Sequence, residues 1–376
     1  MISLRLYSFI FVISLLCLNC KTSNDEPFSL IWQFVYTNDA DGLSLLNTNP
    51  KIIEEQILIA PDKQITSIDI SKGNSNWQFS IPNNPYISTE EFIIDSNTLF
   101  LKEDQFHKLY SVDLTTGKEN WRLDISPKEF FQHSNDAFDE NYLYLNGASG
   151  NIFRFKKDGN LDKEYDLLQY SIIDRARSIR ILNTQLIFSQ RFRGESCPDR
   201  TCGRILSIDK ETEEVLWEYR TDNGGFIFEP ILLEDEIIYA GVTDGPGEFV
   251  ALNATNGEVI WKTLGIIGQS YTLTDSMVLV NDGISLLALD KFTGKELWNT
   301  GLAFGGGDGA SNIGYLNGFV YHAHSGRLWI VDGQTGEIVH TEERSPDGSP
   351  FQLLAVSDGK VFIQTFNALY AYTAWE

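Results

Sequence analysis

Apolar and small residues alternate along the chain in short segments that end at glycine, asparagine or aspartate. One segment reads ALNATNGEVIWKT at 251–263, and a near copy, ALDKFTGKELWNT, stands at 288–300. The alternation predicts a half-buried strand, the Asp, Asn, Thr and Gly residues predict a tight turn, and the run that ends in Trp predicts a second strand. Each copy is therefore predicted to form a β-hairpin.

The hairpin line recurs seven times, with copies that begin at 67, 111, 155, 207, 251, 288 and 330. In each copy the opening residue lies ten positions before an aromatic residue; the copy at 155–165 has Tyr165 in the Trp place, and the last copy ends in His340. A large aromatic at one repeated position is expected to fill the gap between neighbouring sheets. The predicted blade-docking aromatics are Trp32, Trp77, Trp121, Tyr165, Trp217, Trp261 and Trp298.

A second β-rich strand pair precedes the hairpins, so each unit is predicted to hold four strands. The successive aromatics lie 44, 44, 52, 44, 37 and 42 residues apart, a period typical of propeller blades. The C-terminal segment 352–376 supplies three strands of one more blade. Its fourth strand is FSLIWQFVY at 28–36, because Trp32 lies 45 residues before Trp77. The sequence thus predicts an all-β, eight-bladed propeller over residues 28–376, with the last blade closed by the N-terminal strand.

The line A-L-D-x-x-T-G-K-x-x-W resembles the tryptophan-docking repeat of the PQQ-like propellers, over nearly all of residues 28–376. It differs from the WD40 type, because no Trp in the chain is followed by Asp. One branch of the PQQ-like group consists of quinoprotein dehydrogenases. The other branch is noncatalytic and includes the BamB-type outer-membrane assembly lipoproteins. Eight blades in one short chain resemble the second branch, which implies a binding scaffold with neither cofactor nor metal.

Two other function classes stay open from the sequence. Quinoprotein dehydrogenases place two adjacent cysteines against pyrroloquinoline quinone and hold a calcium ion with carboxylates. Here Cys197 and Cys202 are five residues apart, and no set of acids matches that family pattern. A quinone-dependent oxidoreductase is therefore the minor alternative, and a glycan-binding surface module is the third.

The N-terminus reads MISLRLYSFIFVISLLCLNCK, in which Arg5 precedes an apolar run over 6–18. This run is too short to span a bilayer but has the length of a signal-peptide core. It ends in LCLNC, which resembles a lipoprotein signal with Cys20 as the lipidated residue. The expectation is a signal peptide over 1–19 and a lipidated linker over 20–27; an uncleaved anchor or a plain secretory peptide stays open. Lys21 after the cysteine points to the outer membrane under the sorting rule for such lipoproteins.

The net charge restricts the classes of partner, and the cysteine content bears on the redox state of the chain. The chain has 52 acidic and 29 basic residues, a formal net charge of −23, which repels nucleic-acid phosphates and anionic lipid surfaces. No nucleic-acid partner is expected, and membrane contact is expected through the lipid anchor. In an oxidising compartment Cys197 and Cys202 are expected to form a structural disulfide, with a redox-active pair as the alternative.

Arginines concentrate in the unit with the longest interval. In a propeller the connections between strands b and c, and between strand d and the next strand a, emerge on one face, which brings these arginines together. Arg binds carboxylate or phosphate through a bidentate fork. The prediction is a docking patch on a monomeric propeller for an acidic envelope partner, with the β-barrel assembly machinery as a candidate; the alternative is pairing with nearby acids of the same chain. The patch comprises Arg175, Arg177, Arg191, Arg193, Arg200 and Arg204.

Three weaker motifs are interpreted as structural. TNDADG at 37–42 lacks the final Glu of a calcium loop and is expected to be a solvated turn. His322 and His324 share one face of a strand, but no third metal ligand is near in the sequence. FGGGDGASN at 304–312 is expected to join two blades, because it does not link a strand to a helix as a phosphate loop does.

Overall fold

The computed structural model describes residues 27–36, 49–61, 64–81, 92–103, 108–124, 135–147, 151–167, 178–192, 202–221, 225, 227, 230–243, 246–302, 310–324 and 326–376. The signal segment with Cys20 and Lys21, the motif at 37–42 and residues 304–309 of the glycine-rich segment lie outside these ranges. Within them, no helix has the length and apolar character needed to cross a bilayer.

The described residues form thirty-two strands in eight four-stranded antiparallel sheets, which are the blades of a ring, and the eight-bladed prediction is confirmed. Each blade runs from strand a to strand d. The first four blades are β2 (Lys51–Ile53), β3 (Gln56–Ile59), β4 (Gln64–Asp69) and β5 (Ser75–Ser80); β6 (Ile93–Asp95), β7 (Thr98–Glu103), β8 (Lys108–Asp113) and β9 (Glu119–Asp124); β10 (Ala137–Phe138), β11 (Tyr142–Asn146), β12 (Ile152–Lys156) and β13 (Leu161–Tyr165); and β14 (Ile179–Leu182), β15 (Gln185–Phe192), β16 (Cys202–Asp209) and β17 (Val215–Arg220).

The remaining blades complete the ring. In the eighth blade the N-terminal strand β1 pairs antiparallel with the C-terminal strand β32, from Leu30 opposite Tyr372 to Val35 opposite Ala368, so the predicted closure is also confirmed. These blades are β18 (Leu232–Glu234), β19 (Ile237–Val242), β20 (Glu248–Asn253) and β21 (Val259–Leu264); β22 (Ser270–Leu273), β23 (Met277–Asn281), β24 (Ser285–Asp290) and β25 (Glu296–Gly301); β26 (Ala310–Leu316), β27 (Phe319–His324), β28 (Arg327–Asp332) and β29 (Ile338–Glu342); and β30 (Leu353–Ser357), β31 (Lys360–Gln364), β32 (Ala368–Thr373) and β1 (Leu30–Val35).

Most c–d turns are fixed by a side-chain cap and a glycine. In blade 2, Asp113 Oδ1 accepts hydrogen bonds from the Thr116 N–H and hydroxyl, each at 2.7 Å. Gly117 has a φ of 68°, and its N–H donates to the Asp113 carbonyl at 2.8 Å. An L-residue other than Asn or Asp rarely adopts this φ, which explains the Asp-x-x-Thr-Gly pattern of the repeat.

The hydrophobic core is divided among the spaces between neighbouring blades. The a strands are innermost, since β26 contacts both β22 and β30 across blade boundaries. Strands b and c are buried on both faces, and one core cluster joins Trp77 and Phe79 of blade 1 to Leu99 and Tyr110 of blade 2. Stability therefore depends on blade-to-blade contacts around the whole ring.

A Trp from strand d contacts the c–d turn of the following blade at most junctions. A Cβ atom added to Gly73 would lie 2.6 Å from Trp32 Cδ2, and the Trp32 Nε1 donates to the Ile70 carbonyl at 3.0 Å. Trp121 packs in the same way against Gly159. We call this contact the Trp–Gly dock. The other docks with the same hydrogen bond are Trp77 to Leu114, Trp217 to Ala254, Trp261 to Lys291 and Trp298 to Gly333, at 2.9–3.0 Å.

The junction between blades 3 and 4 corrects one detail of the sequence alignment. Ser67 pairs with Trp77 beside the bulge of blade 1, and Arg154 pairs with Lys163 at the equivalent place in blade 3. Lys163, not Tyr165, thus occupies the register position of the Trp. The difference of two residues has two sources: the copy at 155–165 starts one residue after Arg154, the equivalent of Ser67, and the Lys156–Asn160 turn is one residue shorter than its counterparts. Tyr165 is fully buried two positions further on and donates to the Lys210 carbonyl at 2.9 Å, the acceptor equivalent to Ile70.

Candidate protein-binding face

The hairpin of blade 4 extends further than any other b–c hairpin among the described strands. Strands β15 and β16 each hold eight residues and pair from Gln185–Asp209 to Phe192–Cys202. The other b and c strands hold four to six residues. Since a strand rises about 3.3 Å per residue, two extra pairs carry the hairpin about 7 Å further along its axis. The connection at 193–201 with its predicted arginines begins at the end of this extension.

A buried ion pair supports the base of the hairpin. Arg204 is 5% exposed, donates from Nε to Gln190 Oε1 at 2.6 Å and from one terminal nitrogen to Glu218 Oε1 at 2.9 Å. Glu218 also accepts from Arg220 at 2.9 Å. Burial raises the pKa of Glu218, but the hydrogen bonds from Arg220 and Arg204 outweigh it, so the pKa of Glu218 is lowered. The carboxylate therefore stays charged and holds strands β16 and β17 together.

Backbone contacts fix the start of β16. Cys202 is a disulfide-bonded cysteine, and its predicted partner Cys197 lies outside the described residues, so the pairing itself stays a prediction. The N–H of the next residue, Gly203, donates to the Gly225 carbonyl at 2.7 Å. The Thr221 hydroxyl donates to both Gly203 and Gly225 carbonyls, at 3.0 and 2.9 Å. The end of β17 is thereby connected to the hairpin base.

A second buried carboxylate links blade 4 to blade 5. Glu248 on β20 is 3% exposed and accepts a hydrogen bond from the Tyr219 hydroxyl of β17. The Lys262 ammonium lies 3.8 Å from Glu248 Oε2. Because the hydroxyl donor comes from blade 4 and the carboxylate from blade 5, separating the two blades would break a buried hydrogen bond to a charged group.

The predicted arginine patch is only partly within the described residues. Arg175, Arg177, Arg193 and Arg200 lie outside them, whereas Arg191 is partly buried and pairs in register with Gly203. Arg204 is buried within the hairpin base, so its guanidinium takes part in intramolecular pairing rather than in an exposed patch. Arg204 is thus a supporting residue for the connection that carries Arg193 and Arg200.

The residues considered for metal or quinone binding are dispersed. His322 is fully buried on β27, and the side chain of His324 lies outside the described set. Across the ranges that the structure describes, no three His, Cys, Asp or Glu side chains are grouped as a metal site. The four cysteines stand at 17, 20, 197 and 202, so the adjacent pair of the quinoproteins does not occur.

Sequence reasoning missed Gln190, Glu218, Tyr219 and Glu248 because it considered only the arginines. The sequence did contain a signal, since Arg204 is the one basic residue of a c strand, CGRILSID, that is buried along almost its whole length. A charged residue at such a position requires a partner on the adjoining strand. Glu218 on β17 meets that requirement.

Comparison with a family model supports the repeat assignment. The model described as "Outer membrane protein assembly factor BamB" matches residues 92–263. A search of curated proteins finds no match.

Solved structures share the fold at low sequence identity. BamB from Moraxella catarrhalis is 14% identical with a TM-score of 0.64, covering 92% of this chain and 99% of that chain. Quinohemoprotein alcohol dehydrogenase from Comamonas testosteroni is 11% identical with a TM-score of 0.66, covering 92% and 76%. A europium-containing methanol dehydrogenase is 10% identical with a TM-score of 0.62, covering 93% and 94%. At these identities the similarity concerns the fold, which both proposed function classes share.

Proposed function

We propose that this PQQ-like repeat propeller, which resembles BamB, is a noncatalytic scaffold that binds a protein partner at a membrane of the cell envelope. The family-model match to a BamB description over residues 92–263 supports the scaffold class. The same segment includes the whole extended hairpin of blade 4, from Gln185 to Asp209. The part of the chain that matches the BamB model therefore includes the hairpin that we propose as the binding face.

The single observation that carries the proposal is the supported hairpin. Its base is held by the Arg204–Glu218 ion pair, by the Gly203–Gly225 backbone bond and by the disulfide at Cys202. A hairpin held in this way loses little conformational freedom when a partner binds, and this favours affinity. Arg193 and Arg200 are proposed to bind partner carboxylates bidentately.

The proposed location is the outer membrane. A lipid on Cys20 would hold the propeller at the membrane through the linker that ends before Phe28. The net charge of −23 keeps the protein body from adsorbing to anionic headgroups. A component of the β-barrel assembly machinery is the proposed partner class.

The test is crosslinking in the native envelope, followed by capture of the protein and mass spectrometry. We expect an envelope protein to be recovered with the native chain and lost with the Arg191→Glu, Arg193→Glu, Arg200→Glu variant. The matched control is Arg122→Glu, which reverses an exposed arginine of blade 2 far from the hairpin. Capture that is unchanged in the triple variant would contradict the proposed face.

Two further readouts examine the alternative classes. Dye-linked dehydrogenase activity after addition of pyrroloquinoline quinone and calcium would overturn the noncatalytic assignment. Binding of the protein to a glycan array, lost in the same triple variant, would show that the arginine face binds a carbohydrate and not a protein.

A further inference from the structure

The outer strand of blade 8 exposes aliphatic side chains to the same degree as β21, VIWKTL, but lacks the lysine of that strand. Strand β1 reads LIWQFV, and the exposed fractions of Leu30, Ile31 and Val35 are 44%, 42% and 64%. Trp32 and Phe34 point the other way and pack against blade 1. An aliphatic stripe thus lies along the outer rim of the ring, beside the inward-packed aromatics.

Comparison with the other outer strands shows what is specific to β1. Strands β9, β13, β17, β21, β25 and β29 each contain at least one charged residue. Strand β5 is uncharged and has the same Trp-Gln-Phe centre, in SNWQFS, but its exposed positions hold Ser75, Asn76 and Ser80. Only β1 combines an uncharged sequence with aliphatic residues at the exposed positions.

The outer backbone edge of β1 is available for pairing. Strand β1 is the last strand of its sheet, and β32 is its one pairing strand within the described ranges. An edge strand presents N–H and C=O groups that template a further strand, and natural proteins protect such edges with charges or proline. Strand β1 has neither charge nor proline, and its one irregularity is a register shift between Leu30 and Trp32, after which Trp32 to Val35 pair regularly with β32. The edge therefore has the properties of a binding surface for an extended chain.

The chemistry of the edge selects its occupant. A second copy would bring another body of charge −23 against this one, which opposes self-pairing. A bilayer core offers no partners for backbone N–H and C=O groups. An uncharged extended strand satisfies the backbone groups and covers the aliphatic side chains together.

We propose that the outer edge of β1 binds an uncharged, aliphatic-rich extended strand of a partner protein by β-augmentation. The rim differs from the loop face that carries the arginine hairpin, so this site does not depend on that face. The chain between Cys20 and Leu30 spans at most about 35 Å when extended. If Cys20 carries the lipid, the partner strand lies close to the membrane.

The direct test uses a capped, fluorescent peptide of alternating valine and threonine, with fluorescence anisotropy as the binding measurement. We expect saturable binding to the native protein and at least about tenfold weaker binding to Ile31→Lys, Val35→Lys, since each change removes aliphatic contact and adds charge. The matched control is Asn76→Lys, Ser80→Lys on β5, the strand with the same Trp-Gln-Phe centre. This variant should bind the peptide as the native protein does. Arg191→Glu should also bind normally, which separates this site from the arginine face.

Three results would overturn the proposal. Equal peptide binding by the native protein and the β1 lysine variant would remove the edge from the site. A dimer seen by light scattering and abolished by the same lysines would assign the edge to a second copy. Flotation of the protein lacking residues 1–20 with neutral vesicles, lost in the lysine variant, would show that the β1 edge binds lipid. Because Ile31 and Val35 are exposed, both lysine variants should keep the native circular dichroism and melting behaviour.

Discussion

At the residue scale, the Trp–Gly dock explains why the repeat requires both of its most regular positions. Gly257 has a φ of 75°, and a Cβ atom added there would lie 2.6 Å from Trp217 Cε3. The glycine is needed for its backbone conformation and for the space it leaves to the indole. The loss of stability from straining the backbone and the loss from filling the space beside the indole can therefore be measured separately.

We predict that Gly257→Ala destabilises the protein more than Gly359→Ala. Both glycines have positive φ, but nothing lies within 4 Å of a Cβ added at Gly359. The shared backbone cost is about 1–2 kcal/mol, and the clash with Trp217 adds about 1–3 kcal/mol at Gly257 alone. Urea unfolding measures the difference, and equal losses in the two variants would show that the ring yields to the methyl group.

At the element scale, the junction between blades 3 and 4 replaces the dock by charges. Lys163 stands at the Trp position. Its ammonium lies 3.1 Å from Glu213 Oε1 and 4.9 Å from the centre of the Tyr165 ring. Glu213 occupies the glycine position of the next turn with a φ of 63°. The two exceptions to the repeat therefore meet at one contact, where the absence of an indole leaves room for a side chain.

We predict that Lys163→Trp and Glu213→Gly are strongly coupled. Lys163→Trp alone should destabilise, because the indole meets the Glu213 side chain. Glu213→Gly alone should be near neutral, since a relieved φ offsets a partly exposed ion pair. The double variant should restore a dock, giving a coupling of about 1–3 kcal/mol in a urea double-mutant cycle. Additive effects would mean that the two positions do not share one contact.

The junction between blades 3 and 4 also shows which features of the fold could be predicted from the sequence and which could not. The ten-residue spacing identified the hairpins, the blade number and the closure by β1, because these depend on local alternation and turn residues. In blade 3 the turn at Lys156–Asn160 is one residue shorter and the apolar pattern begins one residue later, so the ten-residue spacing led to Tyr165, two positions beyond Lys163. The Arg204–Glu218 pair was missed for another reason: it depends on register between two strands, which the spacing of like residues does not report.

At the scale of the whole molecule, the c–d turns determine the response to acid. Asp69 Oδ1 accepts from the Ser71 hydroxyl and from the Ser71 and Lys72 N–H groups, and these bonds lower the pKa of Asp69 to about 2. Blade 5 has Asn253 at this position, with an equivalent bond from the Thr255 N–H at 2.8 Å. The aspartates at the same turn position whose pKa is lowered by turn hydrogen bonds are Asp69, Asp113, Asp209, Asp290 and Asp332.

We predict that replacing these five aspartates by asparagine flattens the acid limb of the stability curve. A folded pKa below the ordinary value of about 3.9 adds stability that is complete above that pH and is lost as pH falls toward about 2. Urea midpoints measured from pH 7 to pH 2.5 test this, and an unchanged acid limb would contradict it. An equal charge change elsewhere is the control, made by Glu→Gln at exposed Glu55, Glu140, Glu214, Glu258 and Glu337.

The two junctions without a Trp–Gly dock lie four blades apart and so face each other across the ring. At the 7–8 junction, His340 stacks on Trp375 at 5.0 Å between ring centroids and lies 5.8 Å from Phe28. Blade 8 has no c–d turn, because its d strand comes from the N-terminus, so no turn glycine exists there to receive an indole. The ring is thus two sets of four docked blades joined by one ionic and one aromatic junction.

We predict that salt loosens the ionic junction between blades 3 and 4 more than the docked junction between blades 4 and 5 or the aromatic junction between blades 7 and 8. It holds three ion pairs between blades 3 and 4: Arg154–Glu211 at 2.6 Å, Lys210–Asp139 at 2.8 Å and Lys163–Glu213 at 3.1 Å. At 1 M salt the screening length is about 3 Å, so partly exposed pairs weaken while a buried indole contact does not. Amide exchange by mass spectrometry should therefore rise in 1 M NaCl over β13 and the 209–214 turn. It should stay constant over β17 and the 253–258 turn, where Trp217 docks, and over β29 at the aromatic junction. A uniform rise at all three junctions would mean that the ring opens as one unit, and that the two exceptional junctions do not divide it.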